Sequence, residues 1–181
     1  MKNSKLLLTV CFTLLLISAN AQTDTIVSFK NIVEVTGLTK AQLFLNGRHW
    51  FNKNFTSSKD VLQIIDPESG ELSGKGVLKS VYFWKTTSYD VFYHFTINLK
   101  VKDGKYKYEF TDFIVDENKT PAIGEFPVLT SSNICPKNYS GRSKEMVNKM
   151  YESMKNELAK EIPNIVNSLF SEMSNKSKDD F

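Results

Sequence analysis

The clearest period in the chain runs through YDVFYHFTINLKV, where Tyr89, Val91, Tyr93, Phe95, Ile97, Leu99 and Val101 alternate with Asp90, His94, Thr96, Asn98 and Lys100. Phe92 is the one apolar side chain on the polar side. Alternation at period two predicts an antiparallel strand with one face buried and the other facing water. Asp103-Gly104 follows, a dipeptide suited to a two-residue turn with positive φ at both positions. Folding the chain back there sets Val101 against Tyr106, Leu99 against Tyr108 and Ile97 against Phe110, apolar against apolar in each row.

The other elements follow from the same reasoning. TIVSFKNIVEVTG is rich in β-branched residues and predicts a first strand ending at Gly37. LTKAQLFLNGRHWFNKNF predicts a helix with a capping box of Thr39 and Gln42, a staple of Leu38 and Leu43, and Leu43, Trp50, Phe51 and Phe55 near one face. Gly47 costs about 1 kcal/mol relative to alanine in a helix interior, so it calls for a close approach of the helix backbone to something. KDVLQIID, the turn PESG and ELSGKGVLKSVYFWK give two more strands, and TTS turns the chain into the alternating strand. After an irregular connection from Thr120 to Tyr139, Ser143 starts a long helix. Its stripe is Met146, Met150, Met154, Leu158, Ile162, Ile165 or Val166, Leu169 and Met173, with Pro163 expected to kink it. The fold class is α+β, ordered β-α-β4-α: a curved antiparallel sheet with both helices packed on one face.

SGKGVLKS, from Ser73 to Ser80, has the look of a phosphate loop. Such a loop needs its glycines and lysine where a strand ends and a helix begins, with free N–H groups converging on the anion. Here the segment continues into the strand-like VLKSVYFW, and Ser80 does not directly follow the lysine. The glycines are therefore expected to mark a bulge or bend that lets the sheet curl.

The ends bear on the compartment. Residues 1–21 have a basic start (Lys2, Lys5), an apolar run from Leu6 to Ile17 and small residues at Ala19-Asn20-Ala21, the anatomy of a secretory signal cleaved near Ala21. The apolar run is too short to span a bilayer, and Cys11 lacks the small-residue setting of a lipid-attachment cysteine. Residues 22–173 read as a single α+β domain and 174–181 as a polar C-terminal tail. Removing the leader takes two lysines and no acids, so the net charge falls from +3 to +1. A nearly neutral chain has no overall electrostatic drive toward nucleic acid or anionic lipid. Cys135 is then the single thiol, read as a buried small hydrophobe.

FKNIVEVTGLTKAQLFLNGRHWF, SSKDVLQIIDPESGELSGKG and the following hairpin resemble a family of secreted bacterial proteins, the domain of unknown function 4468. The resemblance covers Phe29 to Val115. It rests on the strand ending in Gly37, the Leu43 to Trp50 helix face, and Asp66 through Gly76; Gly47 stands where the family has alanine-like residues. It implies a TBP-like fold, a curved antiparallel sheet with helices on one side, and no activity; "TBP-like" describes shape, not DNA binding.

Candidate chemistry is sparse. His49 has no acidic partner at helical spacing and His94 lies on the polar strand face. No HExxH, Cys-His cluster or EF-hand loop implies a metal, no cofactor motif occurs, and there is no G-x-S-x-G elbow. Cys135 has no nearby histidine in sequence. Asp112 falls, by the hairpin register, on the apolar face between Phe110 and Ile114 and opposite Phe95; a bulge would let its carboxylate reach water, whereas a ligand cavity would use it as a polar anchor. Asp24-Thr25-Ile26 has the form of a short O-glycosylation signal, and N-x-[ST] triplets begin at Asn54, Asn118, Asn138 and Asn175.

Three readings follow. The first is an exported, periplasmic or secreted, non-enzymatic domain binding a small apolar molecule or peptide between sheet and terminal helix, with Tyr93, Phe95, Tyr108, Asp112, Met150 and Met154 as site residues. Methionine suits adaptable pockets as well as cores. The second is a scaffold docking another envelope protein through an exposed sheet face that includes Phe92, His94 and Phe113. A hydrolase built from scattered carboxylates ranks last. A filled core with an exposed aromatic patch separates the second from the first.

Overall fold

The computed structural model describes residues 24–55, 61–120 and 126–176. The leader, Cys11 and the end of the tail lie outside them. Five strands and two helices follow in chain order: β1 (Phe29–Glu34), α1 (Lys40–Asn54), β2 (Leu62–Asp66), β3 (Glu71–Trp84), β4 (Thr87–Lys102), β5 (Lys105–Val115) and α2 (Lys144–Met173). They build one antiparallel sheet in the order β1-β5-β4-β3-β2. Both helices cover the same face. The expected hairpin register holds: Val101 pairs with Tyr106, Leu99 with Tyr108 and Ile97 with Phe110.

α1 begins as its sequence dictates. The Thr39 hydroxyl accepts the Gln42 N–H at 3.3 Å while Gln42 Oε1 accepts the Thr39 N–H at 2.9 Å, so two otherwise orphaned donors are satisfied. Leu38 and Leu43 are both buried. Gly47 explains the close approach: a Cβ there would stand 2.6 Å from Leu99 Cδ2 and 2.9 Å from Leu72 Cδ1. The helix rests directly on β3 and β4.

Gly74 and Gly76 put no bulge into the β3–β4 ladder, and the one β2–β3 irregularity lies opposite Gly74. The β3–β4 ladder runs without a register shift from Glu71↔Lys100 to Trp84↔Thr87, and the irregularity lies in β2, between Leu62 and Ile64. The physical reason for the glycines is space. A Cβ at Gly76 would lie 2.7 Å from Phe95 Cζ and 2.8 Å from Phe55 Cε1, and one at Gly74 would lie 2.5 Å from the Val61 carbonyl oxygen. The phenylalanines of α1 and β4 occupy the volume that side chains on this strand would need. No helix starts beside these glycines, so the strand reading of SGKG stands, and the glycines also form a packing recess.

α2 is capped by Ser143, whose hydroxyl accepts the Met146 N–H at 3.2 Å, and it continues through Pro163 to Met173. At 30 residues it is about 45 Å long. Its buried stripe is wider than the methionine row: Val147 and Tyr151 are buried beside Met150, Met154, Leu158, Ile162, Leu169 and Met173. Polar contacts tie the helices together, among them the Lys53–Glu172 ion pair at 3.6 Å. The Trp50 indole N–H donates to Ser168 Oγ at 2.9 Å, and buried Asn46 donates to the Asn175 carbonyl at 2.9 Å. Asn175, at the start of the polar tail, is thereby held against α1.

Candidate functional site

The six sequence-selected residues divide into two groups. Tyr93, Phe95, Tyr108, Met150 and Met154 all belong to one continuous buried core. Tyr93 donates its hydroxyl to the Met154 carbonyl at 3.3 Å, and burial raises its pKa well above the usual phenol value. Phe95 meets Phe110 edge-on at 6.1 Å and stacks on Phe113 at 5.3 Å. Each of these side chains is already in contact with protein, as in a packed interior.

Asp112 is the exception. The β4–β5 register shifts between His94 and Thr96, with Thr96 opposite Thr111 and His94 opposite Ile114, so Asp112 and Phe113 together face Phe95. Asp112 takes φ +57° and is half-buried. It is the extra residue of a bulge, and aspartate tolerates the left-handed region better than most side chains. The bulge overturns two placements. Phe113 is not on the exposed face but fully buried, and Ile114 turns from the expected core face to the open one, 39% exposed.

The helix-free face therefore carries a different set of side chains from the one the alternation alone predicts. Val77, His94 and Ile114 form one cross-strand row, with Lys79 and Phe92 in the next. Val77 is 42% exposed and Phe83, farther along β3, is 63% exposed. The ammonium groups of Lys79 and Lys119 sit 5.9 and 5.8 Å from the centre of the Phe92 ring. Such cation–π contacts leave an aromatic flanked by positive charge.

His94 and Asp116 meet on this face, Nε2 to Oδ2 at 3.0 Å. Asp116 is buried, and its other oxygen accepts the N–H groups of Asn118 at 3.1 Å and Lys119 at 3.3 Å. The Asp116 N–H donates to the Phe92 carbonyl at 2.7 Å, and Phe92 N–H donates to the buried Thr120 hydroxyl at 3.1 Å. The His94–Asp116 hydrogen bond fixes the orientation of the imidazole. In the position where a nucleophile would stand, the neighbours of His94 in its row are Val77 and Ile114. Sequence reasoning missed the pair because Asp116 lies 22 residues on, beyond the bulge that brings it alongside His94.

Cys135 is buried, and its N–H donates to Asn148 Oδ1 at 3.0 Å. Among the described residues no three or more His, Cys, Asp or Glu side chains gather as metal ligands, and no helix is long and apolar enough to cross a membrane. The surface grooves include these three. Two lie on the helix-free face, lined by Ile32 and Lys100, Lys102, Lys105 and Lys107, and by Glu71, Asn98 and Glu109; the third lies beside His49, Asn52, Lys53 and Glu172. None of these three is lined by Tyr93, Phe95, Tyr108, Asp112, Met150 or Met154.

A second polar cluster joins the chain's start to α2. Asp24 accepts the Ser132 N–H at 2.8 Å and the Thr130 hydroxyl at 3.0 Å, and these hydrogen bonds, the Ser132 N–H foremost, hold its pKa below the usual aspartate value. Lys155 donates to the carbonyls of Thr130, Ser131 and Ser132 and to Asn133 Oδ1. Tyr151 accepts the Thr130 N–H at 2.7 Å and donates to the Val128 carbonyl at 3.1 Å. The cluster fastens residues 126–133 onto the helix.

No curated protein sequence matches the chain. Among solved structures, a DUF4468 family protein from Bacteroides ovatus superposes with a TM-score of 0.59 at 12% identity, covering 91% of this chain and 95% of that one. A TBP-like protein from Parabacteroides distasonis superposes with a TM-score of 0.58 at 14% identity, covering 83% of this chain and 94% of that one. At such identities the likeness speaks for the fold. A family model described as a domain of unknown function (DUF4468) with TBP-like fold matches residues 29–115, the span from the first strand to the end of the bulged hairpin. Through residues 29–115 the chain belongs to the DUF4468 family, and its α+β architecture is the TBP-like fold.

Proposed function

We propose that this protein is an exported, non-enzymatic envelope module that docks another protein through the helix-free face of its sheet. The observation that carries this reading is the exposed patch of Val77, Phe83 and Ile114 around half-buried Phe92. Exposed apolar clusters rimmed by polar groups mark interaction surfaces, and burying side chains of this kind contributes about 1.5–3 kcal/mol each. Lys119 over the Phe92 ring favours a partner that presents an apolar projection beside a carboxylate, while Lys79 over the same ring is paired with Asp90 at 2.8 Å. The leader-like residues 1–21 support export, and a single buried thiol suits an oxidising compartment.

An apolar ligand between sheet and α2 would have to displace Tyr93, Phe95, Tyr108, Met150 and Met154 from contacts they make with one another and the rest of the core. That cost weighs against the groove reading.

A photo-reactive amino acid in place of Phe83, introduced in the producing cell, tests the proposal against the same probe at Lys144 on the helix side. One defined cross-linked product is expected from position 83 and none from 144, with the product lost when Val77→Ser and Ile114→Ser are added. Equal labelling from both positions would sink the proposal.

A further inference from the structure

The β4–β5 hairpin carries Lys100, Lys102, Lys105 and Lys107 on the helix-free face. Lys102 stands opposite Lys105 and Lys100 opposite Lys107, so two successive rows set like charge directly against like charge. Such pairs destabilise a sheet. Strands lie about 4.8 Å apart, and same-face neighbours along a strand about 7 Å apart, so the roots of four ammonium groups are confined to one small patch.

The surrounding acids neutralise it only at Lys100. Asp103, in the turn, accepts the Lys40 N–H at 2.7 Å and so serves the start of α1. Glu71 reaches Lys100 at 3.6 Å, and Glu109 lies 4.0 Å from Lys30. Glu34 faces Lys105 in register. Lys102, Lys105 and Lys107 form no ion pair within 4 Å among the described residues. Tyr106, in the same groove, stays a neutral phenol because burial pushes its pKa up to about 12. Beside the lysines lies Ile32, opposite Lys107 and 62% exposed. The Ile32 N–H is taken by Asn31 Oδ1 at 2.8 Å, which closes this point of the sheet edge to an added strand.

We propose that this groove is a binding site for a phosphomonoester attached to an apolar stem. A dianionic head offsets two opposed lysine pairs at once, and lysine serves phosphate as a compact point charge. The stem lies against Ile32. Glu71 takes up Lys100 and Glu34 borders Lys105, so a compact dianion is served chiefly by Lys102, Lys105 and Lys107, whereas a broad anionic surface would also meet Glu34, Glu71 and Glu109. The head can be carried by a soluble ester or by a lipid such as phosphatidic acid.

Calorimetric titration of the full chain with phenyl phosphate and with inorganic phosphate, at constant ionic strength, tests the site. Lys105→Gln/Lys107→Gln is compared with Lys75→Gln/Lys144→Gln, which removes equal charge elsewhere. Phenyl phosphate is expected to bind saturably and more tightly than inorganic phosphate. The hairpin variant is expected to weaken it by about tenfold or more, the control variant to leave it unchanged. Absence of saturable binding, or equal weakening in the control, would overturn the site. Phosphatidylcholine vesicles with and without phosphatidic acid identify the source: co-sedimentation that needs both phosphatidic acid and the two lysines assigns a lipid head, and phenyl phosphate binding without co-sedimentation assigns a soluble ester. Vesicle binding that survives in the hairpin variant counts against the proposal.

Discussion

The Phe95 ring lies parallel to Phe113, 5.3 Å between centres and 12° between planes. The two face each other because Asp112 is the extra residue of the β5 bulge. Were Asp112 a regular strand residue instead, the alternation would send Phe113 to the open face. Phe29 completes the cluster, edge-on to Phe113 at 5.7 Å. One backbone irregularity thus decides which aromatic side chains build the core and which side chains form the exposed surface.

Asp112 in the left-handed region sets up a graded mutational series. Asp112→Gly is expected to be neutral or stabilising, and Asp112→Val to lose about 1–2 kcal/mol relative to the glycine variant, since a Cβ, and above all a branched one, is disfavoured at positive φ. Deleting Asp112 should cost less than the valine substitution, because Phe110, Phe113 and Val115 then alternate regularly and Phe113 stays opposite Phe95. Urea denaturation of the four proteins measures the order.

Gly74 and Gly47 are predicted to respond differently to alanine. At Gly74 the new methyl would meet the Val61 carbonyl oxygen at 2.5 Å, a backbone atom that cannot swing aside. A loss of about 1–3 kcal/mol is expected from the overpacking. At Gly47 the obstacles are the ends of the Leu99 and Leu72 side chains, and alanine returns about 1 kcal/mol of helix propensity. Gly47→Ala should therefore be the milder change by thermal denaturation.

The sequence made much of this legible. The alternation through β4 and the Asp103-Gly104 turn were enough for the register, and Thr39 with Gln42 for the start of α1, because these signals are local. Asp112, an acid in apolar phase, pointed to the bulge. What the strand alternation could not convey was the consequence beyond it, since each later side chain changes face once one residue is inserted. That is why Phe113 was expected outside and Ile114 inside. The packing role of Gly74 and Gly76 was not legible, because the groups that need their space, Val61 and Phe51 at Gly74 and Phe55 and Phe95 at Gly76, come from other parts of the chain. Of the six site residues, five alternate or repeat as core residues do, and period alone does not separate a pocket wall from a packed interior.

Tyr151→Phe tests the anchoring of residues 126–133. The substitution leaves the Thr130 N–H and the Val128 carbonyl without the phenol oxygen that serves both. A loss of about 1–3 kcal/mol is expected where such groups stay buried. Amide hydrogen exchange should show Thr130 and its neighbours losing protection before the β4 amides do.

Acid should loosen the same region from its other side. The folded pKa of Asp24 lies below its ordinary value of 3.8, so its stabilising contribution is present above that value and disappears as the pH falls through the folded pKa. The Ser132 amide, which donates to Asp24, is expected to keep its protection at neutral pH and lose it in strong acid. Asp24→Asn should remove most of that pH dependence.

Hydroxyl-radical footprinting of the full chain tests most directly the claim that the sheet–helix interface is solid and the working surface lies opposite. Phe83 is expected to be modified rapidly, while Met150, Met154 and Phe95 stay protected until the protein unfolds. Methionine is intrinsically the more readily oxidised side chain, which makes the comparison stringent. Oxidation of Met150 and Met154 in the folded protein at a rate matching Phe83 would contradict the account and reopen a cavity beneath α2.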